Sequence, residues 1–503
     1  MKRFAYLLPL LFASLALGAA KPNIVFIEVD DLPAHYIGAL GANFAQTPTI
    51  DALAKQGILF SNAVCQGTMC GPSRNSLIIG RYPHNIGMYQ NGPFAGLPAG
   101  VWTLPRSLQR AGYTTAHVGK SHIHPSKEGL SGTKADISTE GHRRLGFDYV
   151  WQSLGRAVVG GKSAEKGSDS YVDFLLESGH FQKMKADRRK PTSLPDDVYL
   201  DGLFTKLASE FIAKQGDDPY FLWLNYSVPH GPYDVKQTYH DRFTPKQMPT
   251  PCAADDTGRG IPDLLRPHAI KSKEENQQAQ LGNCANIAFL DDQVAKVQAA
   301  IKASGKADNT IIVFFSDHGF LLGEHGLTHK ATLYKEVLNP SLLIVDPRNP
   351  SSRVIDQPVQ LLDIVKTALD WGGASTADKA IPYGHSLLPL LSKTGDYPHD
   401  FAVGESPGYY ALVTKDYKYI APFDHQKEGK IVLFDLKNNP DETVNIADKK
   451  PEIVALFKSK AEQWLGRTGT VIEQAPVLSK EEKRQRKRQQ ATKKKNQNQN
   501  RGQ

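Results

Sequence analysis

Cysteine is scarce in this chain, and long apolar segments are almost absent from it. Only four cysteines occur in 503 residues, at positions 65, 70, 252 and 284. They are too few and too widely spaced for a disulfide framework or a four-thiolate zinc site. After the first twenty residues, no apolar run reaches the ~20 residues that a membrane-spanning helix needs. The sequence therefore predicts a globular protein with no membrane span and one extensive core or a core with a satellite.

The first twenty residues have the pattern of a secretory signal peptide. Lys2 and Arg3 supply positive charge, residues 7–17 form an apolar stretch, and Gly18 and Ala20 place small residues before a cleavage site. The apolar stretch is shorter than a membrane span. We expect residues 1–20 to be removed and the mature protein to be periplasmic or secreted.

Excess positive charge is confined to the opposite end of the chain. From Lys480 to Gln503 there are ten basic and two acidic residues, which accounts for the whole net charge of +8. The remainder is close to neutral, and we expect no nucleic-acid partner. Segment 478–503 is almost free of apolar residues and is predicted to be a disordered basic tail. The tail either serves solubility alone or contacts polyanions such as sulfated glycans, and the sequence leaves both readings open.

Buried-strand patterns alternate with helix patterns through the first four-fifths of the chain. Strands are predicted at the apolar runs 23–29, 114–118, 220–226 and 310–315. Helices are predicted from Pro48 after a Thr47 cap, and over 103–111, 198–214 and 283–304. This order is typical of an α/β domain whose mostly parallel sheet is flanked by helices.

The pattern changes near Phe401. Short alternating pieces at 410–413, 417–420 and 431–434 precede a helix pattern from Glu452 to Leu465. They predict a small C-terminal antiparallel sheet with a helix packed on it. We therefore divide the chain into a signal peptide at 1–20, a main domain at 21–400, a C-terminal subdomain at 401–470 and the basic tail at 478–503.

Each predicted strand of the main domain is followed by polar side chains that could carry chemistry. In chain order these are Asp30 and Asp31, Lys120 and His122, His230, and Asp317 and His318. In open α/β sheets, ligands bind outside the carboxyl ends of the strands. The four clusters are therefore predicted to meet at one edge of the sheet and form a single site.

Taken singly, each cluster is a weak signal. Paired aspartates after a strand often cap a helix, and a histidine between Pro and Gly is commonly a turn residue. The segment SDHGFLLGEHG could also bind zinc through His318, Glu324 and His325. The abundance of aspartate favours a harder cation, because Ca²⁺ prefers several carboxylate oxygens at ~2.3–2.6 Å.

The segment CGPSRNSLIIGR, from Cys70 to Arg81, is the most specific motif in the chain. It resembles the signature of the formylglycine-dependent (type I) sulfatases, in the alkaline-phosphatase-like superfamily. That signature is Cys or Ser, any residue, Pro, Ser, Arg, a hydrophobic position and a Gly-Arg ending. It is matched here by Cys70, Pro72, Ser73, Arg74, Leu77, Gly80 and Arg81. The resemblance extends from Pro22 to about Leu465. The alternative interpretation of the motif is a buried structural cysteine at the start of a helix.

The resemblance implies a fold, a modified residue and a set of site residues. The fold is alkaline-phosphatase-like, and residues 21–400 are its catalytic domain. A maturation enzyme converts Cys70 to formylglycine, whose hydrated aldehyde is the nucleophile. A calcium ion is held by Asp30, Asp31, Asp317 and residue 70, and catalytic roles are implied for Arg74, Lys120, His122, His230 and Lys330. Many members have Asn where this chain has His318, so His318 either binds the ion or only lines the site.

Elementary chemistry agrees with these implied roles. The sulfur of a sulfate ester is ringed by anionic oxygens, which a metal ion and fixed cations such as Arg74, Lys120 and Lys330 would neutralise. His230 or Lys330 could protonate the departing oxygen as a general acid. The second hydroxyl of the hydrated aldehyde allows sulfate to be expelled after its deprotonation, a step that we hypothesise falls to His122.

The substrate is less well defined than the reaction. We expect a sulfated carbohydrate, with Tyr89, Asn91, His124 and Tyr233 as candidates to shape the pocket. After conversion of Cys70, three thiols allow at most one disulfide, for which Cys252 and Cys284 are the candidates, and we expect Cys65 to be a buried thiol near the site. The alternatives are a phosphonate or phosphate ester hydrolase of the same superfamily, or a non-catalytic glycan-binding relative. A two-zinc phosphatase would need a second histidine-rich metal site, which the sequence does not show.

Overall fold

The computed structural model describes most of the chain between Ala20 and Gly469. The described ranges are 20–92, 96–124, 132–161, 164–187, 189–250, 269–270, 272–374, 383–393, 395–423 and 431–469. The predicted signal peptide, apart from Ala20, and the predicted basic tail lie outside these ranges, as does Cys252. Cys65, Cys70 and Cys284 are buried free thiols.

The strands of the described ranges are β1 (Asn23–Asp30), β2 (Ile58–Phe60), β3 (Ala63–Val64), β4 (Thr114–Lys120), β5 (Tyr149–Ser153), β6 (Tyr220–Pro229), β7 (Thr310–Ser316), β8 (Leu321–Leu322), β9 (Thr328–His329), β10 (Leu342–Val345), β11 (Arg353–Ile355), β12 (Val359–Gln360), β13 (Ala402–Ser406), β14 (Tyr409–Val413), β15 (Tyr417–Pro422) and β16 (Val432–Asp435).

The α-helices of the same ranges are α1 (Pro48–Ala54), α2 (Cys70–Ile79), α3 (Pro83–Ile86), α4 (Leu104–Arg110), α5 (Lys134–Arg144), α6 (Ser170–Glu177), α7 (Phe181–Asp187), α8 (Leu200–Ala213), α9 (Gln237–His240), α10 (Lys273–Ala303), α11 (Lys335–Leu338), α12 (Leu361–Gly372), α13 (Leu388–Ser392) and α14 (Pro451–Thr468).

The main sheet has eight strands in the order β11-β2-β10-β7-β1-β6-β4-β5. Strand β1 pairs in parallel with β6 and β7, and β4 pairs in parallel with β5 and β6. The predicted α/β class with a mostly parallel sheet is confirmed. The sequence did not reveal that β10 runs antiparallel to both β7 and β2. Such a mixed sheet is common where one strand joins without a helical crossover.

The central strands are apolar throughout because helices cover both faces of the sheet. Every residue of β1, β6 and β7 is buried. Val25, Ile27 and Val29 pack into one core with residues of α8 and α10, whereas Ile24 and Phe26 pack into a second core with α12. This burial on two sides explains why the strands read as continuous apolar runs rather than alternating ones.

Helix α10 begins ten residues earlier than the predicted start at Asn283. The side chain of Ser272 accepts a hydrogen bond from the backbone N–H of Glu275 and caps the helix at Lys273. Gly282 lies inside the helix, where an added Cβ would lie 2.5 Å from the Cβ of Tyr233. A close approach of the Tyr233 loop, rather than a helix end, therefore requires this glycine.

The C-terminal residues form the predicted small antiparallel sheet, in the order β13-β14-β15-β16. Helix α14 packs on it through Phe457, Ala461 and Trp464. Within the described ranges, no helix combines the length and the apolar character that a membrane crossing requires.

A buried contact between a histidine and a carboxyl group joins this sheet to the main domain. Glu405 of β13 accepts from the backbone N–H of His84 at 2.9 Å and contacts His84 Nδ1 at 2.6 Å. His84 Nε2 lies 3.1 Å from Thr468 Oγ1 at the end of α14. Both side chains of the pair are fully buried, so the acid has no access to water as a replacement partner.

We predict that Glu405→Gln lowers the free energy of unfolding by about 1–3 kcal/mol, since a buried charged acceptor is lost. The shift of the urea unfolding midpoint measures it. Asp356→Asn is the matched control, because the Asp356–Lys415 pair is 68% and 65% exposed and such pairs contribute little. Equal midpoints for the two variants would contradict the structural role of Glu405.

Candidate functional site

Four strand ends meet at one edge of the main sheet, as predicted. Strands β7, β1, β6 and β4 are consecutive neighbours. The parallel register pairs Val29 with Ser316, Asp30 with Pro229, and Gly119 with Asn225. The acids after β1 and β7 and the lysine at the end of β4 therefore start from adjacent positions.

Gly119 allows β4 to deliver Lys120 to this edge. Its φ is +128°, and a Cβ at this position would overlap the carbonyl oxygen of Asn225. Only glycine tolerates both conditions. Lys120 is consequently the last residue of β4, whereas the sequence analysis ended the strand at Val118.

Cys70 is the first residue of α2, and all ten residues of this helix are buried. Its Sγ donates to Asp30 Oδ1 at 3.3 Å, lies 3.3 Å from His318 Nε2 and accepts from Lys330 Nζ at 3.0 Å. Lys120 Nζ lies 3.9 Å away. The helix N-terminus adds backbone N–H dipoles that favour negative charge beside Cys70.

Three acids and three cations neutralise one another around Cys70. Lys120 pairs with Asp30, and Lys330 Nζ lies 2.7 Å from Asp31 Oδ1. The third pair joins Arg74 Nε to Asp317 Oδ2 at 2.9 Å. These six side chains are nearly or fully buried, so each charge depends on its partner for stabilisation.

A compact set of ligand atoms could hold a metal ion. One ligand atom each from Asp30, Asp31, Cys70 and His318 lies within 4.8 Å of every other. Asp317, predicted as a further ligand, adjoins this set with its Oδ1 3.6 Å from His318 Nε2. Two carboxylates at the centre of the set suit a hard cation.

The alternative zinc site through His318, Glu324 and His325 does not form. Glu324 accepts from the backbone N–H of Leu322 at 2.6 Å, and His325 Nε2 contacts Glu336 at 3.1 Å. Neither belongs to the metal-ligand cluster found among the described residues.

Burial dominates the protonation of the site. It raises the pKa of the Cys70 thiol to about 12, so the unmodified group is a thiol rather than a thiolate near neutral pH. Burial raises the pKa of Asp31 to about 6 against the opposing effect of Lys330. Burial, assisted by Lys330, lowers the pKa of Lys120 to about 7.

Several site residues have left-handed backbone conformations that non-glycine residues rarely adopt. Their φ angles are 69° at Asp31, 47° at His122, 79° at His329 and 69° at Ala331. The last two flank Lys330. Such conformations cost free energy and persist where the surroundings impose them, commonly at functional sites.

His230 lies at the mouth of the site, in a loop held from two other elements. Its Nε2 is 3.7 Å from Asp31 Oδ2, and its side chain is 36% exposed. Its carbonyl oxygen accepts from Arg156 at 2.6 Å and from Asn286 at 3.4 Å. The ring is thus positioned by its backbone and remains accessible from outside.

His122 is partly buried, and its backbone is held by a residue of α2. Its backbone oxygen accepts from Asn75 at 2.9 Å, and its Nδ1 has no hydrogen-bond partner. Burial lowers its pKa well below the usual range, with Lys120 adding to the effect. The imidazole is therefore neutral near physiological pH.

A cavity of about 760 Å³ opens above Asp31, His230 and Lys330, with Tyr233 in its wall. The other three candidates for pocket residues have different positions. Asn91 caps the backbone N–H of Gly71 at 2.8 Å, His124 donates its backbone N–H to Asn75, and the Tyr89 ring packs on Phe423.

Four residues that support the site were not predicted from the sequence. Glu28 and Asn225 contact Arg74 at 3.4 and 2.9 Å, and Arg156 and Asn286 hold the His230 loop. Glu28 and Asn225 could have been predicted from the sequence, since each is a polar residue inside an apolar strand. Buried polar groups require partners and so mark a site or a structural network.

Two family models match the chain. The sulfatase model covers residues 22–374. The model described as N-sulphoglucosamine sulphohydrolase, C-terminal, covers residues 323–465. An arylsulfatase of Clostridium perfringens is 26% identical, over 86% of this chain and 91% of the relative. An N-acetylglucosamine-6-O-sulfatase of Bacteroides thetaiotaomicron is 25% identical, over 95% and 94% of the two chains.

Solved structures share the fold. The phosphonate monoester hydrolase of Agrobacterium radiobacter has a TM-score of 0.75 at 19% identity, over 90% of this chain and all of that one. A protein in complex with its substrate D-glucosamine-2-N,6-O-disulfate has a TM-score of 0.70 at 22% identity, over 88% and 98%. At these identities the likeness concerns architecture alone.

We predict that Ca²⁺ raises the thermal unfolding temperature of the protein over that in EDTA. At a hundredfold excess over its dissociation constant, a ligand stabilises the folded state by about 2.7 kcal/mol. Asp31→Asn should remove most of this shift. Asp291→Asn is the control, because Asp291 is buried but binds the backbone N–H groups of Thr49 and Ile50 instead; it should lower the temperature and keep the shift. Equal calcium shifts in wild type and Asp31→Asn would contradict the cation site.

Proposed function

This chain belongs to the sulfatase family and is a sulfuric ester hydrolase, and from that premise we propose that it releases sulfate from sulfated carbohydrates outside the cytoplasm, through a formylglycine made from Cys70. The reaction consumes water and yields an alcohol and sulfate. One observation carries the proposal. The Cys70 side chain lies within 3.3 Å of an acid, an imidazole and a lysine, at the N-terminus of a buried helix.

The unmodified thiol is not the reactive group that we propose. In this structure Cys70 Sγ occupies the position of the oxygen substituents that a hydrated formylglycine would carry. The hydrate would supply a nucleophilic hydroxyl and a second hydroxyl that permits sulfate release. The modification requires a maturation enzyme, so active protein should be obtained only from hosts that contain one.

The donor set fits a calcium ion. Asp30 and Asp31 supply hard carboxylate oxygens, residue 70 would supply a further oxygen after its conversion, and His318 and Asp317 adjoin the set. The ion would supply positive charge for the ester oxygens and for the attacking hydroxyl. His318 is included as a ligand in this proposal because its Nε2 faces Cys70.

Arg74 and Lys120 orient the reacting groups and neutralise charge. The Arg74 guanidinium is fixed by Asp317 and Asn225, and Lys120 is fixed by Asp30. Fixed donors stabilise charge that develops in the transition state without the cost of reorganisation. Both cations are within the buried charge network, which excludes competing water.

We propose His230 and Lys330 as the candidates that donate a proton to the departing oxygen. Both line the cavity, and Lys330 Nζ is 3.0 Å from Cys70 Sγ. His230 is the more accessible of the two and faces the side from which an ester would enter. His122, neutral and buried, is our candidate for the base that assists sulfate release.

Relatives and the N-terminus suggest the substrate and the compartment. One relative is named an N-acetylglucosamine-6-O-sulfatase, and another is named an ulvan-active sulfatase, so we propose a sulfated carbohydrate here. Export rests on the signal-peptide pattern of residues 1–20. The basic tail would add contacts to the same polyanionic substrates.

We predict that the tryptic peptide containing Cys70 is lighter than its unmodified mass, because a thiol has been replaced by an aldehyde oxygen. Mass spectrometry of protein from a host with the maturation enzyme measures this. Cys70→Ala should abolish sulfate release and keep the circular dichroism spectrum. The control is Cys284, whose peptide should retain the thiol mass. An active protein with an intact Cys70 thiol would refute the formylglycine route.

We predict that Arg74→Ala and Lys120→Ala each lower kcat by ~10²–10³-fold, the effect of losing a transition-state donor. Sulfate release from an aryl sulfate, measured at saturation, tests this. Lys415→Ala is the control for loss of a lysine, since Lys415 is 65% exposed and lies outside the site. A kcat within threefold of wild type would remove that residue from the mechanism.

Parallel assays distinguish the phosphorus-ester alternative. The proposed function requires a higher kcat/KM for an aryl sulfate than for the matching aryl phosphate or phosphonate. The reverse order would make the chain a phosphonate or phosphate ester hydrolase that uses the same site. No turnover of any of them by protein with converted Cys70 would favour a non-catalytic glycan-binding role.

A further inference from the structure

The cavity above the reaction centre has two unlike sides. Asp31, His230 and Lys330 form the base, where the ester would react. The start of α10 also lines the cavity, through Glu275 and Asn276. The alcohol portion of an ester bound at the base would therefore share this cavity with the first turn of α10.

Part of the cavity lining is apolar and aromatic. Phe320, Leu322 and Tyr233 line it, and Phe320 packs against the His329 ring with centroids 5.6 Å apart. Flat apolar surfaces of this kind suit the carbon face of a sugar ring or an aryl ring. The volume of about 760 Å³ is typical of a small-molecule site.

Asn276, next to Glu275, also belongs to the cavity lining, but its amide oxygen is buried away from the open space. Its side chain is 7% exposed, and its Oδ1 has no hydrogen-bond partner. Buried acceptors are normally paired, because leaving one unpaired costs free energy. Asn276 is therefore a structural neighbour of Glu275 and gives no direct contact for the alcohol portion.

Glu275 gives the same end of the cavity a negative charge. It lies in the first turn of α10, where the helix dipole favours a carboxylate. Among the described residues that line the cavity, Lys330 is the one lysine or arginine, and it is engaged with Asp31 at the base. A second anionic group of the substrate would thus face Glu275 with no lysine or arginine of the described lining beside it.

The Tyr233 loop fixes the position of α10 relative to the reaction centre. Tyr233 closes on Gly282, where an added Cβ would lie 2.5 Å from the tyrosine Cβ. Asn286, one turn further along the helix, donates to the carbonyl oxygens of Pro229 and His230 at 3.2 and 3.4 Å. The helix that carries Glu275 is therefore tied directly to the loop that carries His230.

We infer that Glu275 forms a leaving-group subsite that admits alcohols bearing hydroxyl or ammonium groups and rejects those bearing a second anion. The inference rests on the proposed function, since it assigns the alcohol half of the same ester. A neutral or amino sugar fits the subsite, and a uronate or a doubly sulfated ring does not.

Phenyl sulfates that carry a hydroxymethyl, an aminomethyl or a carboxylate group on the ring test the inference. They share the reacting bond and differ in the charge presented to α10. For the wild type we expect kcat/KM for the carboxylate to be about tenfold below that for the hydroxymethyl compound, from repulsion across a partly hydrated cavity. The ratio should shrink as salt is raised, because salt screens such a repulsion.

Glu275→Gln should bring the carboxylate compound within about threefold of the hydroxymethyl one, because the repulsion disappears. Glu274→Gln is the matched control: it is an exposed neighbour in the same helical turn and does not line the cavity, so the wild-type ratio should persist. Comparison of the three proteins separates a local charge effect from a general loss of helix stability.

The outcomes distinguish the inference from the proposed function. Sulfate release with the same charge preference in wild type and Glu275→Gln would overturn the subsite and leave the sulfatase reaction intact. A wild type that prefers the carboxylate compound would also overturn it. Failure to release sulfate from all three compounds by protein with converted Cys70 would overturn the proposed function itself.

Discussion

Mutual neutralisation of buried charge is the constraint on which this site depends. Asp30, Asp31 and Asp317 are removed from water, and each is paired with a lysine or arginine from a different part of the chain. An isolated buried carboxylate would cost several kcal/mol, so loss of any one partner leaves a charge that the interior cannot tolerate. The same arrangement keeps the three cations close to residue 70. The same three cations therefore balance the buried acids in the folded protein and provide positive charge for an anionic ester.

The C-terminal sheet also supports residues next to this charge network. Ser406 of β13 donates to the carbonyl oxygen of Ala331 at 3.1 Å and accepts from Thr68 at 3.0 Å, while the backbone N–H of Ala331 donates to Thr68 at 3.1 Å. These bonds hold Ala331, the left-handed residue that follows Lys330. Thr68 lies two residues before Cys70, so one small network positions the lysine and the residue to be modified. The subdomain thus contributes to the geometry of the site although it supplies none of the proposed ligands.

Two kinds of carboxylate serve different tasks in the site and in the cavity above it. Asp31 is buried among cations at the base, where its charge is suited to holding a metal ion. Glu275 is exposed at the cavity rim, on the first turn of a long helix, where its charge acts on what enters. Burial strengthens the electrostatic interactions of a carboxylate and fixes its geometry. Exposure to solvent weakens these interactions, so an exposed carboxylate distinguishes ligands mainly by the sign of their charge. Within one cavity, the buried carboxylate therefore serves the reaction and the exposed carboxylate serves recognition.

The amino-acid sequence alone determined the α/β class, the meeting of four strand ends at one edge and the motif at Cys70. Buried parallel strands are continuous apolar runs, and polar residues at their ends are easily recognised. The antiparallel β10, the ten additional residues of α10 and the turn of Asp317 toward Arg74 were decided only in three dimensions. Each depends on a contact between distant parts of the chain, such as Tyr233 on Gly282 or Glu28 beside Arg74. Local patterns specify which segments are buried, while the choice of partner for a buried charge is settled by the packing that brings the candidates together.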